Sequence, residues 1–257
     1  MTTLYLGTHK ANWLDRLDVP MMVSRRTLAA RKRLPRAITS WVLDSGGFTE
    51  LSLQGRWTVP AMTYSTEVRR YHDEIGHLQW AAIQDWMCEP WILARTGLTV
   101  RDHQWQTIAN CKLLRQLAPD MPWMPVLQGW EFEDYLHHLY QYGEAGIDLR
   151  AEPVVGLGSV CRRQDTAMAE ELICELSARG IRLHAFGFKL KGLRRVASQL
   201  ASTDSMAWSL DARRRPPLPG CNHASCANCP RYALQWRERA LEAIDRAQPT
   251  LPWGGRA

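Results

Sequence analysis

The amino-acid sequence predicts a closed α/β barrel of the (β/α)8 TIM type, and three observations predict it. Eight short apolar segments recur along the 257 residues, at positions 4–7, 20–23, 41–44, 80–85, 124–128, 154–158, 183–187 and 202–208. Stretches of helical length and pattern separate most of them, so strands alternate with helices and lie parallel. Six segments carry a polar residue or glycine at or just beyond their apolar run: Asp44, Asp85, Gln128, Gly158, Gly187 and Asp204. A parallel barrel gathers the C-terminal ends of its strands at one mouth, so these six converge there.

Taken in order, Leu4-Tyr5-Leu6-Gly7 and Pro20-Met21-Met22-Val23 are the first two strands. The connection 21–41 is basic and lacks periodicity, which predicts a short helix plus loop. Trp41-Val42-Leu43 forms a buried strand that runs into Asp44 and then Ser45-Gly46-Gly47, where backbone can approach a flat ligand closely. The plainer reading of the same residues is a strand stopped at an Asp-Ser-Gly-Gly turn, with the aspartate as a cap. Residues 66–77 carry Val68, Tyr71 and Ile75 at helical spacing, 99–117 repeat Ile and Leu, and 166–179 form an amphipathic run closed by Gly180. Residues 131–143 and 191–200 supply two more helices. After Asp211 the chain passes through Arg213-Arg214-Arg215-Pro216-Pro217 into a cysteine cluster. A helix over 232–247 follows, with Leu234, Ala240, Leu241 and Ile244 on one face, and then a loose tail over 249–255. The expected organisation is a catalytic barrel over 1–212, with a zinc-binding loop, C-terminal helix and tail over 213–257 packed on it.

With 46% hydrophobic and 23% charged residues, the chain suits one large core. No apolar run approaches the ~20 residues of a membrane span, and the first residues lack a charged-then-apolar leader, so a cytoplasmic protein without a membrane partner is expected. The net charge of +6 points to a polyanionic partner such as nucleic acid. Its cations cluster as Arg25, Arg26, Arg31, Lys32, Arg33 and Arg36, as Lys189, Lys191, Arg194 and Arg195, and as Arg213, Arg214 and Arg215. Each cluster follows a predicted strand, which leads to the expectation that all three share one face. Any single cluster is equally a solvated helix or loop. Twelve tryptophans offer stacking surfaces for bases, although core and rim packing accounts for most tryptophans.

Four of the seven cysteines are scattered, while Cys221, Cys226 and Cys229 fall within nine residues that also hold His223. Three thiolates and an imidazole in one tight loop suit a closed tetrahedral zinc site. The alternative is three reduced cysteines exposed in a loop. At the barrel mouth, three carboxylates, an amide and glycines make a pocket for a flat polar heterocycle. A carboxylate accepts from ring and exocyclic N–H groups of a guanine-like edge, while an amide both donates and accepts.

Asp44-Ser45-Gly46-Gly47-Phe48, Val126-Leu127-Gln128-Gly129, Val155-Gly156-Leu157-Gly158, Phe186-Gly187 and Thr203-Asp204-Ser205-Met206-Ala207 resemble, in order and spacing, the tRNA-guanine transglycosylase superfamily. The resemblance covers residue 41 to about residue 230, and Asp-Ser-Gly-Gly-aromatic is its most specific piece. It implies that Asp204 is the nucleophile that attacks C1′ of a nucleotide and that Asp44 is the general acid/base. Asp211, seven residues on, is the competing carboxylate. Asp85 and Gln128 would hydrogen-bond the purine edge, Ser45 and the Leu157-Gly158 backbone would add polar contacts, and Phe48 and Phe186 would flank the base. The superfamily also carries a structural zinc after its nucleophile, usually on Cys-x-Cys-x2-Cys with a distant histidine. Here His223 stands in place of the second cysteine and Cys229 becomes the fourth ligand.

The chain is short for the tRNA enzymes and resembles the compact DpdA-type relatives, which exchange guanine in DNA for a 7-deazaguanine such as 7-cyano-7-deazaguanine. DNA is therefore the favoured partner, with tRNA the second. Two other functions compete: a non-catalytic, zinc-stabilised nucleic-acid-binding module, which needs the basic clusters but not both aspartates, and a hydrolase that uses the same carboxylates with water as acceptor.

Overall fold

The computed structural model describes residues 2–247 apart from 161, 162, 164, 165 and 189, and it leaves the side chains of 190, 191, 193 and 247 undescribed. Lys189 of the second basic cluster and the tail over 249–255 therefore lie outside the described residues.

Among the described residues nine parallel strands form one sheet: β1 (Thr3–Thr8), β2 (Met21–Ser24), β3 (Trp41–Asp44), β4 (Leu78–Ala82), β5 (Trp123–Met124), β6 (Val126–Leu127), β7 (Val155–Leu157), β8 (Leu183–Ala185) and β9 (Leu200–Ser205). Their order is β5-β4-β3-β2-β1-β9-β8-β7-β6. The two ends of that order are consecutive in the chain, separated only by Pro125. That residue lacks the N–H a continuous ladder needs. Met124 O accepts from Ile83 N on the β4 side, and Pro125 O accepts from Gly156 N on the β7 side. The fold is a nearly closed parallel barrel in which β5 and β6 together occupy one position, so each of the eight predicted segments has its place.

The helices are α1 (Arg25–Leu28), α2 (Gly47–Gln54), α3 (Ala61–Ile75), α4 (Pro90–Thr96), α5 (Val100–Leu117), α6 (Phe132–Glu144), α7 (Ala167–Ala178), α8 (Leu190–Val196), α9 (Ala207–Arg213) and α10 (Pro230–Ala247). Helices α5 and α7 start where side chains satisfy the first N–H groups: Thr99 and Asp102 form a reciprocal capping box on α5, and Thr166 accepts from Ala169 N on α7. Buried tyrosines then pin helices to strands. The Tyr64 hydroxyl donates to Ala82 O at 2.6 Å, Tyr135 to Gly158 O at 2.9 Å and Tyr142 to Val126 O at 3.0 Å. Each of these buried aromatics contributes about 1.5–3 kcal/mol of hydrophobic stabilisation, and the hydroxyl bonds remove the penalty of burying a polar tip.

Four details depart from the sequence reading. Helices α2 and α4 are too short, at 8 and 7 residues, to show a periodic face, and start instead from local chemistry: Gly46 at φ 82° precedes α2, and Pro90 opens α4. Strand β9 ends at Ser205, whose hydroxyl accepts from Ala207 N at 3.3 Å, so Ala207 and Trp208 belong to α9. Helix α8 ends at Val196, and Leu200 is already in β9.

The first basic cluster, finally, is itself divided between the two ends of the barrel. Arg25 lies near the mouth, paired with Glu67 at 2.5 and 2.9 Å. The carbonyls of Arg31 and Lys32 accept from Arg70 at 3.1 and 3.0 Å, and Ala37 N donates to Ile75 O at the end of α3, the end that leads into β4. A helix that returns the chain to the start of the next strand takes such residues to the opposite end of the barrel. Arg195 and Arg215 are paired with Glu170 and Asp211.

The core is continuous from Leu4 to Ile244. Helix α10 packs on α8, α9 and β1 and buries Tyr232, Ala233, Trp236, Ala240 and Ile244. Among the described residues no helix is long and apolar enough to cross a membrane.

Candidate active site and metal centre

The C-terminal ends of the strands enclose a cavity of about 490 Å³. All six converging residues line it: Asp44, Asp85, Gln128, Gly158, Gly187 and Asp204. Ser45, Phe48 and Phe186 line it as well. Leu157 does not, because it is fully buried within β7. Nor is the backbone beside it open to a ligand as the sequence suggested. Gly158 N donates to Leu127 O at 2.9 Å and Gly158 O accepts from Tyr135, so both groups serve the barrel. Gly158 matters for its missing side chain instead: a Cβ there would stand 2.2 Å from Gln128 Nε2. Gly156 plays the same part for Phe186, whose ring edge lies 2.8 Å from where a Cβ would be.

Register explains how each carboxylate is held. Asp44 stands opposite Ser24 in the β2–β3 pair, and bonds from the Ser24 hydroxyl and Gly46 N–H steady it. Burial pushes its pKa up against those bonds, and the nearby Asp204 charge pushes it further. Asp85 receives Gln128 Nε2 at 2.5 Å and the Ser45 hydroxyl at 3.4 Å. Burial raises its pKa to about 7 even so, with the charge of Asp44 adding to the rise. Asp204 lies opposite Tyr5 in the β1–β9 pair, and its Oδ1 accepts from Gly187 N at 2.8 Å. That bond needs Gly187 in the left-handed region, at φ 66°.

The sequence reading missed several polar residues here, of which four bear on the carboxylates or on Gln128. Ser24 lies at the end of β2, and its signal was its place directly after an apolar strand. His184 is fully buried beneath the cavity with Nδ1 2.9 Å from Ser202 Oγ, and its Nε2 lies 3.5 Å from Asp204 Oδ1. Sequence placed it inside a strand, with no mark of proximity to Asp204. Glu89 and Ser159 both line the cavity from loops beyond their strands, where no periodicity points to a direction. Asp211 sits away from the cavity on α9, where it accepts from the Tyr232 hydroxyl at 2.7 Å and from Arg215 Nε at 3.0 Å. These bonds hold its pKa below the usual carboxylate range despite opposing burial.

Below α9, Cys221, His223, Cys226 and Cys229 present one ligand atom each, all within 4.8 Å of one another. The Sγ atoms of Cys221 and Cys229 are 4.0 Å apart. Tetrahedral zinc with Zn–S bonds of ~2.3 Å separates its sulfurs by roughly 3.8 Å, so the donor set fits such an ion. Leu218 N donates to Cys226 Sγ at 3.3 Å, the kind of contact that orients a ligating thiolate. The loop touches both the barrel and the cavity wall: Ser209 donates to Ala227 O at 2.9 Å, and Asn228 bonds His9, which lines the cavity.

The DpdA family, described as DeoxyPurine in DNA protein A, matches residues 1–253. The chain belongs to this family. Membership supports a DNA 7-deazaguanine transglycosylase type of function, and a transferase of the guanine transglycosylase type, in accord with the resemblance drawn from Asp44-Ser45-Gly46-Gly47-Phe48. No curated protein matches the chain.

Proposed function

We propose that this protein exchanges guanine in DNA for a 7-deazaguanine such as 7-cyano-7-deazaguanine, through a covalent aspartyl-nucleotide intermediate. The observation that carries the reading is one cavity lined together by Asp44, Asp204, Asp85 and Gln128. Asp204 attacks C1′ as the C1′–N9 bond of the target nucleotide breaks, and Asp44 supplies a proton to the departing guanine. The raised pKa of Asp44 suits it to hold that proton. The incoming base then gives its N9 proton to Asp44 and attacks C1′, displacing Asp204. Two inversions retain the configuration at C1′, as in retaining glycosidases.

Asp85 and Gln128 read the N–H and carbonyl edge of the base, Ser45 supports Asp85, and Phe48 and Phe186 flank the ring. The target base leaves the duplex stack to reach this cavity. Phe48 and Met206, 44% and 41% exposed at the rim, are placed to fill the space beside it. Residues 1–212 form the catalytic unit, and 213–257 carry a structural zinc on Cys221, His223, Cys226 and Cys229, which stabilises the loop under α9. The protein works in the cytoplasm.

Incubating it with labelled 7-cyano-7-deazaguanine and, separately, duplex DNA, single-stranded DNA and unmodified tRNA tests the reading. Label in DNA at guanine positions, with free guanine released, is the expected result. Label in tRNA alone overturns the DNA assignment, and guanine release without incorporation points to a hydrolase. Asp44→Asn should slow exchange about 10²–10⁴-fold, the range for a lost general acid/base.

A further inference from the structure

Four side chains form a chain of hydrogen bonds along one wall of the cavity. Gln128 Nε2 lies 2.5 Å from Asp85 Oδ2, and Gln128 Oε1 lies 2.8 Å from Ser159 Oγ. Ser159 Oγ lies 2.8 Å from Glu89 Oε2 and accepts from Cys88 N at 2.9 Å. All four residues are less than a tenth exposed, so bulk water does not compete for these bonds.

Counting protons restricts how this chain can be arranged. A hydroxyl has one proton to donate, yet Ser159 has two oxygen neighbours at 2.8 Å. If it donates to Gln128 Oε1, then Glu89 carries a carboxyl proton and donates to Ser159, and Asp85 is a carboxylate that accepts from Gln128 Nε2. If instead it donates to Glu89, the amide of Gln128 turns end for end, and Asp85 needs a proton to bond its oxygen. The two arrangements offer a base opposite polarity. In the first, Gln128 Nε2 has a second proton for a base carbonyl, and Asp85 accepts from base N–H groups. In the second, Gln128 presents oxygen, so the polarity reverses at the amide, while the one proton of Asp85 is held by that amide oxygen and only its other oxygen is left for the base.

Resting on the base-exchange reading above, we infer that Ser159 and Glu89 are positioning residues that fix the Gln128 amide in the first arrangement and so make the pocket select a guanine-type edge. The backbone agrees with a specialised role. Ser159 holds φ 56°, in the left-handed region uncommon for residues other than glycine, and this places its hydroxyl between Glu89 and Gln128. Gly158 beside it leaves room for the amide to lie flat against the chain. Ser159 thus decides which end of Gln128 faces Asp85, and Glu89 supplies the donor that frees the serine proton for Gln128.

The test is the ratio of dissociation constants for guanine and 2,6-diaminopurine, whose 6-amino group replaces the carbonyl with a donor, measured by calorimetry on the full chain. Ser159→Gly removes the hydroxyl and suits the positive φ, so the fold is kept, as a melting curve verifies. The preference for guanine should fall about tenfold in this variant, the effect of one hydrogen bond lost from a buried network. Glu89→Gln keeps a donor toward Ser159 and should hold the preference within about threefold of wild type. An unchanged preference in Ser159→Gly, or equal weakening toward both bases, overturns the inference, as does Glu89→Gln losing the preference as fully as Ser159→Gly. Wild-type protein that binds neither base sinks the base-exchange reading itself, a result distinct from a selective wild type with equally selective variants.

Discussion

The cavity and the Cys/His loop are both clusters of polar side chains, but they are held by opposite means. In the cavity, strand ends fix the carboxylates before any ligand arrives. Ladder bonds, a glycine N–H and neighbouring side chains hold Asp44, Asp85 and Asp204, and the cost appears as raised pKa values at Asp44 and Asp85. The loop has little regular structure beyond a three-residue 3-10 turn at Cys226–Asn228, and its four candidate ligand atoms converge from irregular backbone. The difference teaches that the barrel spends stability to preorganise its carboxylates, whereas the loop presents a donor set that could take stability from a metal ion.

The sharpest way to break that contrast is at Asp204. Asp204→Asn should lower base exchange by at least about 10³-fold and abolish covalent trapping on DNA, because an amide is no anionic nucleophile. Its melting temperature should stay near wild type. Trapping that persists there but vanishes in Asp211→Asn would show that the α9 carboxylate is the nucleophile, despite its bonds to Tyr232 and Arg215.

Cys226→Ser should do the reverse. One zinc per chain is expected by metal analysis, and losing a ligand should cost several kcal/mol of stability. Exchange by the protein that remains folded should change far less. Removing the metal with a chelator should lower the melting temperature in the same direction, and a metal-free protein of full thermal stability would remove the structural role.

A smaller effect tests the price of preorganisation at Asp85. Its folded-state pKa, about 7, stands above the ordinary 3.8, so the folded state binds the extra proton between those values. Its contribution to stability is therefore full below about pH 4 and is lost as pH rises through about 7. Asp85→Asn removes this dependence, and relative to wild type it should gain on the order of 2–4 kcal/mol between about pH 4 and pH 8. Guanine binding should show the opposite slope in wild type, weakening as pH falls through about 7, because the base edge needs the carboxylate. Parallel pH profiles of melting in the two proteins would contradict the burial of this charge.

The smallest change probes the seam between barrel and loop. Tyr232→Phe removes the hydroxyl that bonds Asp211 and should cost about 0.5–1.5 kcal/mol with no effect on base exchange, read from denaturant unfolding.

The strand segments and the six residues at their ends were legible in the sequence because a buried parallel strand must be apolar and must stop where polar groups begin. The convergence of the four candidate metal ligands was legible because four donors within nine residues have few ways to avoid one another. Tertiary structure alone decided the rest. Ser159 and Glu89 are 70 positions apart and reach Gln128 from loops whose direction no periodicity encodes. His184 comes within 3.5 Å of Asp204 only because β8 and β9 pair in one register. The first basic cluster divides because the chain runs from the mouth at Arg25 to the far end of the barrel at Ala37, so charges near in sequence are separated in space. Sequence determines which residues finish a strand, since burial acts on each segment locally. Which groups then meet is set by strand register and loop path, which are properties of the closed barrel as a whole.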